Sequence, residues 1–317
     1  MSPRILVIRG GAIGDFILTL PAIRLLRENF PRARIEILGY KHIVALAHGR
    51  FYADDSRSIE YGALAPFFIP NAELAPGLME FFGSFNQVIS YLFDPDRIFE
   101  ANLRRCGVRN IIVGSPKIDD SEHAASQLAR PLQALALYLE NPGATLHPAS
   151  EDREFAARFL QQVRQPLLAI HPGSGSERKN WPVEKWLALC RWLGSLHPAP
   201  SLLLIGGEAD QKRLSALQHA QGNLQVARDL PLCQLAALVE RCALFLGHDS
   251  GISHLAAAVQ ARCLLLFGPT DPEIWAPANP GVRVIRAPGG EMENLELRTV
   301  QEAVQEAIGN PRTNEIG

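Results

Sequence analysis

Short apolar runs that end abruptly in glycine-rich loops recur along the whole chain. The first run, Arg4–Arg9 (RILVIR), is followed at once by Gly10 and Gly11. The run 166–171 (PLLAIH) likewise passes into a Gly/Ser loop before an amphipathic pattern at 183–193. Runs this short, with glycine behind them and a helical pattern next, are typical of buried parallel strands joined by helices. We therefore predict an α/β protein.

The alternation of strands and helices divides into two halves. Further strands are predicted at 34–38, 88–92, 110–113, 201–205, 243–246, 262–267 and 282–286, and helices at 132–139, about 151–163, about 209–219, 232–241, 253–259 and 299–308. We predict two doubly wound, Rossmann-like domains facing a cleft, at residues 1–163 and 164–317, with the terminal helix as a candidate to pack back on the first domain. In such sheets ligands bind outside the carboxyl ends of the strands, so the glycine-rich loops should border one cleft.

Composition narrows the class of protein. The chain has 317 residues and a formal net charge of -2, which gives no footprint for nucleic-acid binding. The five cysteines show no C-x2-C spacing, so we expect neither a zinc site nor a disulfide framework, and a reducing, cytoplasmic location. The chain starts directly in a predicted strand and has no apolar stretch of about 18 residues, so we expect neither a signal peptide nor a transmembrane helix.

The segment Gly247-His248-Asp249-Ser250-Gly251 is the strongest candidate binding site. It follows a predicted strand and opens a helix, where free N–H groups and the helix dipole favour an anion such as a diphosphate. His254 lies four residues beyond Ser250 and can face the same ligand. The alternative is a well-capped buried helix with no ligand.

Three other loops after strands carry candidate phosphate- or ribose-binding residues. Ser174, in the loop 173–176, and Lys179 could bind phosphate oxygens, or the loop could be flexible with a solvated lysine. Glu208 could accept the hydroxyls of a ribose, or cap the helix that follows. Thr270 could donate to a phosphate, or belong to a rigid turn between two prolines.

The first loop, Arg9–Asp15 (RGGAIGD), resembles a dinucleotide-binding fingerprint. That fingerprint requires an acid at the end of the second strand, whereas this strand ends Leu38-Gly39-Tyr40 and Glu36 lies inside it. A nicotinamide-dependent oxidoreductase is therefore disfavoured. Asp15 is a lone carboxylate at a helix start, where the dipole favours its anion, and it could be functional or merely a cap.

Taken together, these segments resemble the family 9 glycosyltransferases, the ADP-heptose:lipopolysaccharide heptosyltransferase group of the GT-B fold. The matching segments occur in the family's order and span nearly the whole chain: ILVIRGGAIGDFILTLPAIRLL, LLAIHPGSGSERKNWPVEKW, LLIGGEAD and FLGHDSGISHLAAAVQARCLLLFGPTDPEIW. Residues from about 40 to 150 match only loosely. Acceptor recognition is expected there.

The resemblance implies an inverting transfer from a nucleotide-sugar donor, such as ADP-heptose, to a glycan or glycolipid acceptor, with no cofactor and no metal. Domain 1–163 would bind the acceptor and domain 164–317 the donor. The implied roles are a general base (Asp15), acceptor-side glycines (Gly11, Gly14), donor contacts (Ser174, Lys179, Thr270), a ribose ligand (Glu208), a sugar contact (Asp249) and a phosphate-binding turn (Ser250, Gly251, His254).

Two questions stay open from the sequence. A nucleotide-sugar-binding protein, or a hydrolase or epimerase of the same fold that needs no glycosyl acceptor, would show the same donor motifs. Peripheral contact with the inner face of the inner membrane is a second question. The apolar clusters at 67–69 and 78–82 could dock on a lipid surface or form buried core.

Overall fold

The computed structural model of the protein describes residues 2–218 and 224–309. Its internal contacts divide the chain into two compact units, Met1–His147 and Pro148–Gly317. Each unit contains one parallel sheet with helices between successive strands, as predicted from the alternating pattern.

The first unit is built on a five-stranded sheet with the order β3-β2-β1-β4-β5. Its elements are β1 Arg4–Arg9, α1 Ile13–Asn29, β2 Arg34–Gly39, α2 Lys41–Val44, β3 Asp55–Ser58, α3 Pro76–Gly83, β4 Gln87–Ser90, α4 Ile98–Arg105, β5 Ile111–Val113 and α5 Ala124–Ala129, with 3-10 helices at Gly62–Phe68 and Arg130–Leu135. The central strand β1 is buried from Ile5 to Arg9, as its apolar sequence predicts.

The second unit is built on a six-stranded sheet with the order β11-β10-β9-β6-β7-β8. Its elements are α6 Ser150–Phe159, β6 Leu167–Ile170, α7 Val183–Ser195, β7 Ser201–Gly206, α8 Gln211–Leu217, β8 Leu224–Arg228, α9 Leu232–Val239, β9 Leu244–His248, α10 Gly251–Ala258, β10 Cys263–Phe267, α11 Pro272–Trp275, β11 Val282–Arg286 and α12 Leu297–Gly309, with 3-10 helices at Glu177–Lys179, Glu208–Asp210, Pro288–Gly290 and Met292–Asn294.

The strand orders locate one switch point in each sheet. In the first sheet, β1 lies between β2 and β4. The strands β2 and β3 are added on one side of β1, and β4 and β5 are then added on its other side. In the second sheet, β6 lies between β7 and β9 in the same way. Loops that follow the two strands flanking such a point diverge and leave a crevice between them, which is where α/β proteins bind ligands.

The boundary between the units falls earlier than the predicted position at 163/164. Helix α6 packs against α9, and Arg153 on α6 forms a salt bridge with Glu240 at the end of α9, with an Nε–Oε2 distance of 2.8 Å. The helix therefore lies with the second unit, although it precedes β6 in sequence. Helix α12 places Val300, Ala303 and Val304 in the core of the second unit, against α7.

Several element predictions were wrong in detail. The helix expected at 132–139 is instead α5 followed by the 3-10 helix Arg130–Leu135, since Pro131 lacks the N–H that a continuous α-helix needs there. Strands β3 and β8 were not predicted. Both are edge strands, and β3 (DSRS) has no fully buried residue, so neither shows a long apolar run.

The two apolar clusters considered for membrane docking are mostly core. Phe67, Leu78 and Phe82 are buried together in the first unit, whereas Phe68 and Ile69 are exposed. Within residues 2–218 and 224–309, no helix is long and apolar enough to span a membrane. The cysteines at 190, 242 and 263 are buried in the second unit, as expected of small apolar residues.

Candidate functional site

The turn between β9 and α10 begins a helix with a side-chain cap. The Oγ of Ser250 accepts the backbone N–H of Ser253 at 3.3 Å, and the hydroxyl of Ser253 donates to the carbonyl of His248. Ser250 is thus the N-cap of α10. Gly251 is the first helical residue, so its N–H belongs to the unpaired donors of the first turn. The arrangement suits an anion at the start of α10.

A salt bridge joins this turn to the loop after β6. The Nζ of Lys179 lies 2.6 Å from Oδ2 of Asp249, whose side chain is 8% exposed. The hydroxyl of Thr270, in the loop after β10, donates to the same oxygen at 2.8 Å. Two of the predicted donor-binding residues, Lys179 and Thr270, therefore converge on one carboxylate oxygen of a third, Asp249, and the three come from separate loops.

A series of polar contacts, which the sequence did not predict, connects the same turn to His171 and Asp210. The Nδ1 of His171 lies 3.4 Å from Oγ of Ser250, and its Nε2 lies 3.5 Å from Oδ2 of Asp210. Asp210 also accepts the backbone N–H of Gly207 at 3.1 Å. Burial disfavours the charge on Asp210, but its hydrogen bonds with His171 and Gly207 outweigh that effect and hold its pKa below the usual value.

His248 packs under the loop after β6 as an uncharged side chain. Its Nε2 accepts the backbone N–H of Trp181 at 2.9 Å, so its proton lies on Nδ1, 3.4 Å from the carbonyl oxygen of Gly173. The ring of Trp186 meets it edge-on, with centroids 5.4 Å apart. Complete burial, aided by nearby His171, lowers the pKa of His248 to about 3. Through its contacts with Trp181 and Gly173, His248 thus fixes the position of the loop after β6.

The other predicted donor-binding residues, Ser174, Glu208 and His254, also lie in the second unit. The Oγ of Ser174 lies 2.8 Å from Oδ1 of Asn180 and 2.9 Å from the carbonyl of Ser176, so its hydroxyl serves its own loop. Glu208 is exposed just beyond β7, and the capping role considered for it belongs to Asp210 instead. His254 is buried inside α10.

The first unit contains a cavity of about 570 Å³ at the carboxyl edge of its sheet. Residues at or shortly after the ends of all five strands contribute to its lining, namely Gly10, Tyr40, Ile59, Tyr91 and Pro116. This is the position at which α/β sheets bind ligands. Tyr91 leaves the sheet directly after β4, which ends at Ser90 rather than at Leu92 as predicted.

Asp15 lies in the lining of this cavity and also caps α1. Its Oδ2 accepts the N–H of Ala12 at 2.9 Å, while its Oδ1 lies 3.6 Å from Nη2 of Arg9. Gly11 lines the cavity with a φ of 97°, and Gly14 lies in the first turn of α1. Burial lowers the pKa of Arg9, an effect that the charge of Asp15 partly opposes. The two interpretations of Asp15, cap and functional carboxylate, are thus compatible.

Glu36 has a structural role in the first sheet. Its Oε1 lies 2.6 Å from Nη2 of Arg4 on the neighbouring strand β1, and the residue is buried. The only acid in β2 is therefore engaged within the sheet, which agrees with the argument against a dinucleotide site. Within residues 2–218 and 224–309, no group of three or more His, Cys, Asp or Glu side chains is arranged to hold a metal ion.

Comparison with known proteins gives the class of this architecture. The profile of glycosyltransferase family 9 (heptosyltransferase) matches residues 111–304, more than half of the chain. The chain therefore belongs to glycosyltransferase family 9. It is 24% identical to lipopolysaccharide heptosyltransferase 3 of Escherichia coli over 297 residues, covering 83% of each chain. It is 27% identical to lipopolysaccharide heptosyltransferase 1 of Escherichia coli O18:K1:H7 over 190 residues, covering 58% of this chain but only 57% of that relative.

Solved structures confirm the fold. A glycosyl transferase of family 9 from Veillonella parvula DSM 2008 superposes with a TM-score of 0.80 at 19% identity, covering 96% of this chain and 97% of that one. ADP-heptose lps heptosyltransferase II of E. coli superposes with a TM-score of 0.75 at 17% identity, covering 96% and 98%. The predicted α/β class, with two Rossmann-like units of the GT-B type, is thus confirmed.

Proposed function

We propose that this protein is an inverting, metal-independent glycosyltransferase that moves a heptose from ADP-heptose to a lipopolysaccharide-core or similar glycan. Membership of family 9 supports the reaction class. The relatives named lipopolysaccharide heptosyltransferase support the sugar and the acceptor. A heptosyltransferase of E. coli solved with ADP, which shares the fold with a TM-score of 0.72, supports the nucleotide.

The observation that carries the proposal is the position of Lys179 and Asp249 at the start of α10. The diphosphate would lie against the free N–H groups of the first turn, beside Gly251. Lys179 supplies a positive charge next to it. Only Oδ2 of Asp249 is used by Lys179 and Thr270, so Oδ1 would contact the donor sugar. Ser174, Glu208 and His254 complete the proposed donor site, with Glu208 holding the ribose.

The reaction divides between two groups of residues. An acceptor hydroxyl would lose its proton to Asp15 as its oxygen attacks C1 of the donor sugar from the face opposite the diphosphate. The bond between C1 and the diphosphate oxygen breaks, and its electron pair leaves with ADP. Preorganised N–H groups and Lys179 would stabilise that growing negative charge, which is the task a metal ion performs elsewhere.

The proposal includes a cytoplasmic location, with peripheral contact at the inner face of the inner membrane when the acceptor is lipid-linked. Because most of the apolar clusters are buried, such contact would depend on the exposed Phe68 and Ile69. Flotation of the protein with anionic lipid vesicles would support it, and no flotation would reject it.

Replacement of Asp15 by Asn tests the proposal. Asn keeps an acceptor for the N–H of Ala12 but cannot take up the proton, so transfer from ADP-heptose to a truncated lipopolysaccharide acceptor should fall about 10³-fold. ADP affinity, measured by calorimetry, should be unchanged. Asp120→Asn, an exposed change in the same unit, is the matched control. Wild-type activity should persist in excess EDTA.

The outcomes separate the alternatives. Full activity in Asp15→Asn would show that Asp15 is not the base, and loss of activity in EDTA would contradict metal independence. Release of heptose or an isomerised donor without any acceptor would instead indicate a hydrolase or an epimerase. Binding of ADP-heptose with no turnover under any condition would indicate a binding protein.

A further inference from the structure

The cavity of the first unit is lined by both aromatic rings and carboxylates. We propose that it binds an uncharged pyranose of the acceptor, against exposed aromatic rings and two carboxylates, and disfavours a phosphorylated sugar. This inference rests on the proposed function for its link to transfer, because Asp15 lies in the same lining. The binding preference itself follows from the cavity alone.

The charges around the cavity are predominantly negative. Its described lining includes the carboxylates of Asp15 and Glu60, and Arg9 is the only lysine or arginine among those lining residues. The side chain of Arg9 is 2% exposed and lies beside Asp15. Its Nε has no hydrogen-bond partner among the described residues, but that atom is fully buried and cannot be offered to a group in the cavity. A phosphate would therefore face two anions and one inaccessible cation, which costs binding energy.

The remaining walls suit the apolar face of a sugar ring. Phe68 and Phe93 line the cavity and are 46% and 63% exposed, although large apolar side chains are usually covered by other protein atoms. Carboxylates beside such rings can accept sugar hydroxyls, while the rings cover the C–H face. A small-molecule site usually has a mainly apolar wall that contains a few polar groups.

Lys117 is an exposed cation that contacts one of these rings and is not among the lining residues of the cavity. Its Nζ lies 4.5 Å from the centroid of the Phe93 ring. This contact is a cation–π interaction that covers one face of the ring. The opposite face is then the one available to a sugar. A competing hypothesis is that Lys117 turns away from Phe93 to bind a phosphate, so the experiment must include that possibility.

The test uses two sugars that differ by one group, methyl α-D-mannopyranoside and its 6-phosphate. Saturation-transfer NMR, with irradiation of the protein's aromatic protons, measures binding of each sugar to the full chain without donor. We expect the neutral sugar to bind about ten-fold more tightly, since like charges oppose the phosphate. Phe93→Leu should weaken binding of the neutral sugar a few-fold. Tyr138→Leu, an equally exposed aromatic change outside the cavity, should leave it unchanged.

Charge inversion gives the second comparison. Glu60→Lys should remove most of the preference for the neutral sugar, whereas Glu140→Lys, the same change at an exposed site away from the lining, should preserve it. No saturation transfer to the neutral sugar, or binding of the phosphate that is equal or tighter, would overturn the inference. A phosphate preference that disappears in Lys117→Met would assign that binding to Lys117. ADP calorimetry on the same samples tests the donor site separately, so failure of the proposed function is distinguishable.

Discussion

Lys179 and Asp249 are 70 residues apart in sequence, yet Nζ of one lies 2.6 Å from Oδ2 of the other. The pair connects the loop after β6 to the turn after β9, and these strands are neighbours at the switch point of the second sheet. Asp249 is largely buried directly before α10, so its position is fixed by the surrounding protein. Its salt bridge therefore holds the ammonium group of Lys179 close to the start of that helix. The salt bridge therefore preorganises a positive charge where the helix already favours an anion.

Lys179→Met should remove that charge while keeping most of the side-chain volume. We expect kcat/KM for transfer to fall about 10²-fold, because the charge would stabilise the leaving diphosphate. ADP binding, measured by calorimetry, should also weaken. Lys212→Met on the exposed surface of α8 is the control. Unchanged ADP affinity and unchanged kcat/KM in Lys179→Met would contradict the donor site.

Gly173 should tolerate no side chain. A Cβ atom there would lie 1.7 Å from Oδ1 of Asp210, and Asp210 is itself held by His171 and Gly207. We expect Gly173→Ala to destabilise the second unit by about 2 kcal/mol or more, since the clash displaces a buried charge from its partners. The free energy of unfolding in urea measures this effect.

Gly175→Ala is the matched control, two residues further along the same loop. Nothing lies within 4 Å of a Cβ placed there. Its unfolding free energy should stay within about 0.5 kcal/mol of the wild-type value. Equal destabilisation by both changes would mean that the loop requires glycine for its backbone rather than for its packing on Asp210.

The loops of the candidate donor site could be predicted from sequence because each follows a central strand. Strands such as β6 are buried on both faces, so their sequences are continuous apolar runs that identify the loop behind them. Lys179 and Asp249 could be chosen as candidates for that reason. Their mutual salt bridge could not, because it depends on β6 and β9 being neighbours, which is a property of strand order.

Other features had no local signal. The link between His171 and Asp210 joins two loops through one side chain each, and no spacing in the sequence indicates it. Glu208 was chosen as the candidate acid because it directly follows the glycines after the predicted strand. The buried acid is instead Asp210, two residues later. The aromatic wall of the first-unit cavity combines residues after β4 with others after β2 and β3, in the region where the sequence pattern is weakest.

Gly11→Ala should test the close approach of the Gly11 backbone to the side chain of Asp15. Gly11 has a φ of 97°, and a Cβ atom there would lie 2.8 Å from Oδ2 of Asp15. We expect transfer activity to fall at least ten-fold with ADP affinity unchanged, because the carboxylate must move. Gly49→Ala, at a φ of 62° with nothing within 4 Å, adds only backbone strain of about 1–2 kcal/mol and should keep its activity. Equal activity losses in the two variants would argue against a specific role for the position of Asp15.

The buried His248 should make the second unit less stable in mild acid. Its pKa is lowered to about 3 by burial, whereas the ordinary pKa of a histidine, expected in the unfolded chain, is about 6.5. Between these values the unfolded chain binds a proton that the folded chain does not, so stability falls as pH decreases through this window. The slope from this one residue is about 1.4 kcal/mol per pH unit.

Urea unfolding between pH 6.5 and pH 4 measures that slope. All four tryptophans, Trp181, Trp186, Trp192 and Trp275, belong to the second unit, so their fluorescence follows its unfolding specifically. His248→Gln removes the titrating group, and its slope should be smaller by about 1.4 kcal/mol per pH unit even if its stability is lower throughout. The pKa of Asp210 is also held low, but its contribution is lost only at still lower pH and is common to both proteins. Identical slopes in the two proteins would show that protonation of His248 is not coupled to unfolding.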